Sequence, residues 1–328
     1  VDDFNTGNDP NKLSSGDRQW LQVSKMIDKD DSIYVDQEIL SKEINNWKYP
    51  LHFIDFETSA VALPFTQGRK PYEQVAFQFS HHILHENGRI EHQTQLLNSN
   101  PGVFPNFEFV RGLNKALSND DGTIFRFANH ENYILNTILY QLEQSEEKDK
   151  VELIRFIKTI TNSSKNNAQQ WKGERTMVDL RQIILDCYYN PLTKGSNSIK
   201  YVLPAILKSS QFLQEKYGKR LADINISSLN FCSEHIWLKK KEDEIVSPYK
   251  MLPSLFGDWS DTEKNETISE LVDIADGGAA LTAYAKLQYV EMSSEERKEI
   301  ENALYKYCEL DTLAMVMIYE HFKNDLLK

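Results

Sequence analysis

The sequence predicts an α/β protein in which helices flank a mixed central sheet. Residues 51–58 (LHFIDFET) are rich in large apolar side chains, which is typical of a buried strand. Strand-like runs at 74–84 and 89–97 are separated by Asn-Gly at 87–88, which indicates a hairpin with a two-residue turn. A further strand is expected at 123–128, and helical patterns follow it. This order of elements is typical of a mixed sheet with helices packed on it.

Helices are predicted from apolar spacing and from residues that favour helix ends. A helix is expected at 107–117, and Asn129 stands at the N-cap position of the helix after the fourth strand. Residues 195–207 predict a capped helix that is interrupted near Pro204, because proline removes a backbone donor. A long C-terminal helix is expected over 295–327.

The domain organisation follows from shifts in composition. Residues 1–47 are polar and charged, and we predict that they form a helical lead-in to one main domain at 48–328. Charged or polar stretches near 143–175 and 209–275 are expected to be insertions with helices. The sequence starts with Val1 instead of methionine, so we expect a trimmed chain or a piece of a longer protein.

Composition excludes several classes of function. The 328-residue chain has 49 acidic and 37 basic residues and a net charge of −12, which disfavours a long nonspecific duplex-binding surface. Short single strands, or one strand end in a local groove, remain compatible with this charge. No apolar run approaches the roughly 18 residues of a membrane span, and the start is unlike a signal peptide. The three distant cysteines predict neither a zinc ribbon nor a disulfide framework, so a reducing, cytoplasmic setting is expected.

The first candidate site residues lie on the strand at 51–58. Asp55 and Glu57 are two residues apart, so both carboxylates project from the same face of the strand. Burying two acids in an apolar strand costs free energy, and a divalent metal is the usual compensation. The alternative is an edge strand that carries two solvated acids.

Two acids further along the chain are candidates for the same cluster. Glu131 is in the first turn of the helix after the fourth strand, where acids are also favoured by the helix dipole alone. Asp179, in the stretch MVDL, could equally cap the helix that follows it.

The C-terminal helix supplies a tyrosine and an acid one turn apart. Tyr307 and Asp311 lie on the same helix face as Leu304 and Ala314, so both polar groups should point inward. A buried aspartate needs a partner. The alternative to a functional site is a buried Tyr–Asp hydrogen bond with no chemical role.

Taken in order, FIDFET, the acid after the fourth strand, VDL, SIKYVLPAIL and YCELD resemble the motifs of the DEDD (DnaQ-like) 3′→5′ exonucleases of the ribonuclease-H-like clan. The last motif is similar to the Tyr-x-x-x-Asp of the DEDDy branch. PYEQVAFQFS, GSNSIKYVLPAIL, DGGAALTAY and YCELDTLAM more closely resemble a bacterial domain family of unknown function within that clan. The resemblance covers roughly residues 50–325. Because members of that family are often fused to an N-terminal module, it also implies a fused or partner N-terminal module here.

The resemblance implies a ribonuclease-H-like fold and a site for two Mg²⁺ or Mn²⁺ ions about 4 Å apart. Asp55 would bridge both ions, Glu57 and Asp311 would complete one site each, and Glu131 would act through water. Tyr307 would orient the attacking water. The implied reaction removes nucleoside 5′-monophosphates from the 3′ end of single-stranded DNA or RNA, or of a short oligonucleotide.

One departure from the family pattern bears on activity. The family usually has an aspartate in its second motif, whereas Glu131 occupies the gapless position here and Asp179 is its competitor. If neither binds metal, the domain would be an inactive nucleic-acid-binding or scaffold module. A metal-dependent phosphoesterase acting on small nucleotides is a third hypothesis.

Substrate contacts are expected from the loop after the first motif and from a lysine in SIKYVLPAIL. The loop offers Phe65, Arg69, Lys70 and Tyr72, and the helix offers Lys200 beside its cap. Aromatic stacking on a terminal base together with one or two cations is a common way to bind single strands. The alternative is a solvated loop with a packed tyrosine.

The predicted hairpin contains His81, His82, His85 and His92, a set that could suggest zinc. His81 and His85 would share one strand face while His82 faces the other side, and no cysteine or acid stands at zinc-finger spacing. We therefore predict cross-strand polar pairing of these histidines.

Overall fold

The computed structural model describes residues 12–163, 169–241, 244–252 and 275–327. The chain is a mixed α/β protein, as the sequence predicts. Its strands are β1 (Tyr34–Val35), β2 (Leu51–Ser59), β3 (Val75–Leu84), β4 (Ile90–Leu97), β5 (Ile124–Arg126), β6 (Val178–Asp179), β7 (Tyr188–Tyr189), β8 (Ile226–Ser227), β9 (Lys239–Lys241) and β10 (Glu244–Val246).

Helices surround these strands and make up much of the described chain. They are α1 (Ser15–Asp28), α2 (Gln37–Asn45), α3 (Asn106–Leu117), α4 (His130–Glu143), α5 (Lys150–Ile160), α6 (Leu180–Cys187), α7 (Ile199–Ser209), α8 (Gln211–Tyr217), α9 (Ala275–Tyr289) and α10 (Ser294–His321). None of the described helices is both long enough and apolar enough to cross a membrane.

The central sheet has six strands in the order β6-β5-β2-β3-β4-β8. Strands β2, β3 and β4 form an antiparallel meander. Strand β5 runs parallel to β2, β6 runs parallel to β5, and β8 runs parallel to β4. This mixed sheet with flanking helices confirms the predicted fold class and is consistent with a ribonuclease-H-like fold.

The two faces of β2 enter different parts of the core. Leu51 and Phe53 pack into a cluster that includes side chains of α6, α7 and α10. Ile54 and Phe56 pack into a second cluster, built with α3, α4 and α5. Each fully buried side chain of this size stabilises the fold by roughly 1.5–3 kcal/mol. Because side chains alternate along a strand, Asp55 belongs to the face that carries Phe53.

Helix α10 lies against the centre of this sheet. Its C-terminal half, from Tyr307 to His321, is buried on all sides. The Gln78 side chain of β3 donates a hydrogen bond to the Leu304 carbonyl at 2.9 Å, and the Ser80 and Thr312 hydroxyls lie 2.8 Å apart. These contacts fix the register of the helix on the sheet.

The β3–β4 connection differs from the two-residue turn that the sequence predicts. The His85 amide donates to the Arg89 carbonyl, so the loop contains the three residues between them. Gly88 has φ of +84°, and the Asn87 side chain accepts a hydrogen bond from the Arg89 amide at 3.0 Å. A three-residue hairpin loop needs a left-handed residue at this position, and glycine supplies it.

The predicted interruption near Pro204 is wrong, because α7 continues from Ile199 to Ser209 with Pro204 inside it. Ser198 caps the helix, as expected, by accepting a hydrogen bond from the Lys200 amide. Burial of side chains such as Leu203 offsets the cost of the missing backbone donor.

Part of the segment predicted as an insertion at 209–275 joins the main core. Strand β8 pairs with β4, and the Trp237 ring, 1% exposed, packs 4.5 Å from the Phe231 ring, centroid to centroid. The β9 lysines are exposed. The remainder, from 253 to 274, lies outside the described residues.

The hairpin histidines pair across strands, which confirms the prediction. The His81 ring bonds the Thr94 hydroxyl at 3.0 Å, and the His82 ring stacks on that of His92 at 4.8 Å. Burial lowers the pKa of His81 and of His82 well below the usual histidine value. Both rings are therefore neutral in the folded protein near pH 7.

Candidate metal centre

Strand β2 places Asp55 and Glu57 on the face that α10 covers. Asp55 pairs with Ser80 and Glu57 pairs with Gln78 across the β2–β3 ladder, and the register then shifts between Glu57 and Thr58. Glu57 is 8% exposed, and Asp55 is partly buried. The irregularity shifts the register directly after the two acids, where Thr58 pairs with Ala76, and such bulges are common beside functional sites.

Helix α4 brings Glu131 to the same region. The chain leaves β5, passes through Ala128 with φ of +74°, and enters the helix at His130. Asn129 occupies the predicted N-cap position, but its side chain makes no capping hydrogen bond. Glu131 is 2% exposed, and within the described part of the chain its Oε2 atom has no hydrogen-bond partner. A buried acceptor without a partner costs about 1–3 kcal/mol, and more when it is charged.

Helix α10 contributes Tyr307 and Asp311, which are both buried, as the spacing predicts. The Tyr249 hydroxyl donates to Asp311 Oδ1 at 2.5 Å. Tyr249 belongs to the short 3₁₀ segment Pro248–Met251. Sequence reasoning missed this tyrosine, because nothing in its local pattern distinguishes it from a surface residue.

The four carboxylates act on one another electrostatically. The pKa of Asp55 is raised well above its usual value, first by burial and then by the negative charges of Asp311, Glu57 and Glu131. Burial, reinforced by Asp179 and Asp311, raises the pKa of Glu131 to about 8, although Arg126 opposes the shift. The four acids that the resemblance selects therefore lie close enough to influence one another's ionisation.

Cys308 is a member of this cluster that sequence reasoning did not assign to the site. Its sulfur lies 3.7 Å from both Asp55 Oδ2 and the Asp55 carbonyl oxygen. One ligand atom from each of Asp55, Glu57 and Cys308 lies within 4.8 Å of the others. Burial and the nearby carboxylates raise the pKa of the thiol well above its usual value. Its position in YCELD, between Tyr307 and Asp311, was the available signal.

Lys200 lies beside the tyrosines of the cluster. Its ammonium donates a hydrogen bond to the Tyr307 hydroxyl and lies 4.4 Å from the Tyr307 ring centroid and 5.0 Å from that of Tyr249. Its positive charge also lowers the pKa of Asp55. Lys200, which is predicted to contact phosphate, therefore lies at the carboxylate cluster.

Asp179 has a different environment from its competitor Glu131. Its Oδ2 accepts a hydrogen bond from Arg126 at 3.0 Å, while its Oδ1 accepts from the amides of Ala128 and Gln182. Asp179 therefore caps α6 and pairs with a cation, so both of its oxygens are engaged. This geometry favours Glu131 as the fourth carboxylate of the cluster.

The loop residues predicted to bind substrate have varied surroundings. The Phe65 ring packs 5.1 Å from that of Tyr284. The Arg69 guanidinium lies 3.4 Å from the Phe104 ring centroid. Tyr72 is 69% exposed and has φ of +60°. Phe65 and Arg69 therefore help to pack the loop. Of the three residues, Tyr72 is the one whose side chain is largely open to solvent.

The donor set fits a hard divalent cation. Carboxylate oxygens are the ligands that Mg²⁺ and Mn²⁺ prefer. The unpartnered Glu131 oxygen and the mutual repulsion of the acids are both relieved by a cation placed between them. The residues present can therefore hold such an ion.

Comparison with known proteins bears on part of the chain. Residues 52–198, less than half of the sequence, match a family model described as "Domain of unknown function (DUF2779)". No curated protein and no solved structure matches the chain. The matched segment contains Asp55, Glu57, Glu131 and Asp179 and ends before Lys200. In that segment the chain is similar to a domain family of unknown function, which is compatible with the resemblance to such a family.

Proposed function

We propose that the chain is a metal-dependent 3′→5′ exonuclease that hydrolyses single-stranded DNA or RNA to nucleoside 5′-monophosphates. The observation that carries the proposal is a cluster of acids in which the charges of Asp311, Glu57 and Glu131, all three buried, raise the pKa of Asp55. Such a cluster is unfavourable unless cations are held there. The motif order that resembles the DEDDy exonucleases supports the reaction type.

Two Mg²⁺ or Mn²⁺ ions would be held by the four carboxylates. When bound, they would lower the pKa of a water molecule and stabilise the negative charge on the leaving 3′ oxygen.

The protein's own groups would position the reactants. Lys200 donates to the Tyr307 hydroxyl, so that oxygen acts as acceptor and the phenolic proton is directed to another acceptor. A water molecule or a phosphate oxygen at this point would be oriented by the tyrosine. Since a phenol has a reference pKa near 10, orientation is a better role for Tyr307 than proton abstraction near pH 7.

Charge and exposure favour a strand end as substrate. The net charge of −12 disfavours a long phosphate track, whereas Lys200 supplies a local cation beside the acids. The exposed Tyr72 ring in the loop after β2 offers a stacking surface for a base. A short single-stranded end could contact Lys200 through a phosphate and stack a base on Tyr72.

The test is digestion of 5′-labelled and 3′-labelled single strands of DNA and RNA in Mn²⁺. We expect 5′-labelled strands to shorten stepwise and 3′-labelled strands to release labelled mononucleotide at once. Asp311→Asn should lower the rate at least ~10²-fold, the scale of losing one electrostatic contact in a catalytic site. Glu38→Gln, which changes an exposed acid on α2, is the matched control and should keep full activity.

A folded wild-type chain that cleaves no strand would contradict the proposal. Calorimetry with Mn²⁺ then tests the alternative of an inactive scaffold module, which predicts no binding, or binding that Asp55→Ala leaves unchanged. Cleavage confined to mononucleotides or dinucleotides would instead identify a phosphoesterase of small nucleotides.

A further inference from the structure

Cys308 places a sulfur atom among the carboxylate oxygens of the candidate metal centre. The side chain is fully buried, and its sulfur lies 3.7 Å from Asp55 Oδ2. Ligand atoms of Asp55, Glu57 and Cys308 all lie within 4.8 Å of one another. A tetrahedral ion with bonds of about 2.3 Å to sulfur and 2.0 Å to oxygen separates these ligands by roughly 3.5 Å. The sulfur and the oxygens are thus close to the spacing that one such ion requires.

A second observation also points to a ligand at this place. Glu131 is 2% exposed, its Oε2 atom has no hydrogen-bond partner within the described residues, and its charge acts on Asp55. This unpartnered oxygen lies outside the 4.8 Å group, but its residue is close enough to influence the ionisation of Asp55, so it is a further potential donor. The sulfur therefore does not stand alone as a sign of metal binding.

The chemistry of the donors separates two kinds of ion. Mg²⁺ and Mn²⁺ are hard ions that take oxygen ligands, and a neutral thiol adds little to their binding. Zn²⁺ and Cd²⁺ take thiolate together with carboxylate, and their bond to sulfur repays loss of the thiol proton. The same group of side chains therefore offers a different donor set to each kind of ion.

We propose that Cys308, Asp55 and Glu57 form a thiolate–carboxylate site that captures Zn²⁺ or Cd²⁺ and excludes the hard ions of the candidate centre. The sulfur–metal bond forms as the S–H bond breaks and the proton leaves to solvent, with no change of oxidation state. Metal capture stands on the geometry alone. Its inhibitory consequence rests on the proposed exonuclease function.

The test is a Cd²⁺ titration followed by the ultraviolet sulfur-to-cadmium charge-transfer band. The full chain carries Cys232→Ser, because that exposed cysteine would bind Cd²⁺ by itself. We expect a band that saturates near one Cd²⁺ per chain. Adding Cys308→Ser should abolish it and weaken Cd²⁺ binding at least ~10-fold, while Mn²⁺ binding changes less than ~3-fold. Cys187 is buried elsewhere and stays in every variant.

A band that persists without Cys308 would overturn the proposal, because its sulfur would then come from Cys187. X-ray absorption at the zinc edge tests whether a sulfur atom binds the metal. The sample is the Cys232→Ser chain loaded with Zn²⁺, in which Cys308 is intact. We expect one sulfur at about 2.3 Å with oxygens at about 2.0–2.2 Å. A shell of oxygen and nitrogen alone would contradict the assignment, even if Cys308→Ser fails to fold.

The outcomes for binding and for activity separate the two proposals. If the exonuclease is active, Zn²⁺ should inhibit it, and Cys308→Ser should need at least ~10-fold more Zn²⁺ for the same inhibition. A sulfur–metal bond in a chain without nuclease activity would overturn the proposed function alone. An active nuclease whose Zn²⁺ has only oxygen ligands would overturn the thiolate site alone.

Discussion

The Lys200 ammonium donates a hydrogen bond to the Tyr307 hydroxyl and lies 4.4 Å from the centroid of the same ring. The two residues are 107 positions apart, on α7 and α10. An ammonium group has no acceptor capacity, so this contact fixes the tyrosine oxygen as acceptor. The direction of the phenolic proton at the carboxylate cluster is thus set by a lysine on another helix.

Loss of the Lys200 ammonium should impair catalysis more than metal binding. For Lys200→Met we expect kcat to fall about 10–100-fold, because Tyr307 loses its orientation, while Mn²⁺ affinity changes less than ~3-fold. Steady-state kinetics and calorimetry measure both. Lys208→Met changes an exposed lysine of the same helix and is the control.

The double variant with Tyr307→Phe tests whether the two residues act as a unit. We expect the combined loss to be close to the larger single loss. Fully additive losses would show that Lys200 acts independently of Tyr307.

Asp179→Asn should affect stability and spare metal binding. The substitution weakens the pairing with Arg126 and the cap of α6, so we expect the free energy of unfolding to fall by about 2–3 kcal/mol. Denaturant unfolding measures this loss. Mn²⁺ affinity should stay within ~3-fold of wild type, whereas Glu131→Gln should weaken it at least ~10-fold. The reverse pattern would identify Asp179 as the metal ligand.

Glu131 should make the metal-free protein less stable as the pH rises. Its pKa is about 8 in the folded chain against 4.5 ordinarily, so between these values the folded state holds a proton that the unfolded state has released. Stability from this group is therefore complete below about pH 4.5 and is lost as the pH rises towards about 8. Glu131→Gln should remove this dependence.

Thermal unfolding in a metal chelator, at about pH 5 and at about pH 8, measures the effect. We expect the Tm advantage of Glu131→Gln over wild type to be larger at the higher pH by at least about 2 °C, the shift for roughly 1 kcal/mol in a large domain. At about pH 8, saturating Mn²⁺ should raise the Tm of the wild type above that of Glu131→Gln. An advantage that is the same at both pH values would show that Glu131 titrates normally.

Trp237→Ala should destabilise the whole domain, although the tryptophan lies in the segment predicted as an insertion. Its ring is buried in the cluster that contains Phe53 and α10 side chains, so we expect a loss of about 3–5 kcal/mol in chemical unfolding. Tyr201→Ala truncates a ring that is 46% exposed and should cost less than ~1 kcal/mol. If the two variants lost the same free energy of unfolding, Trp237 would not be part of the main core.

Local patterns predicted the parts of the fold that depend on neighbouring residues. The run of large apolar side chains identified β2, and the spacing of Tyr307 and Asp311 placed both side chains inward. The hairpin loop has three residues instead of the predicted two, and in it the Asn87 side chain bonds the Arg89 amide, a contact that an Asn-Gly pair alone does not specify. The α7 helix continues past Pro204 because tertiary burial outweighs one missing backbone bond.

Residues that meet through tertiary contacts could not be found in this way. Tyr249 reaches Asp311 across 62 positions, and Cys308 contacts Asp55 across 253. Neither contact leaves a periodic pattern in the chain. The choice between Glu131 and Asp179 likewise depended on Arg126, whose position beside Asp179 follows from the pairing of β5 with β6.

If the proposed centre binds a cation, the unpartnered Glu131 oxygen would link the supply of cations to the lifetime of the chain in a cell. An ion that binds only the folded chain adds about 2.7 kcal/mol of stability at a hundredfold excess over its Kd. Where such ions are scarce, a larger share of the chains would unfold and be open to proteases. Cation scarcity would then lower the abundance of the protein as well as its activity.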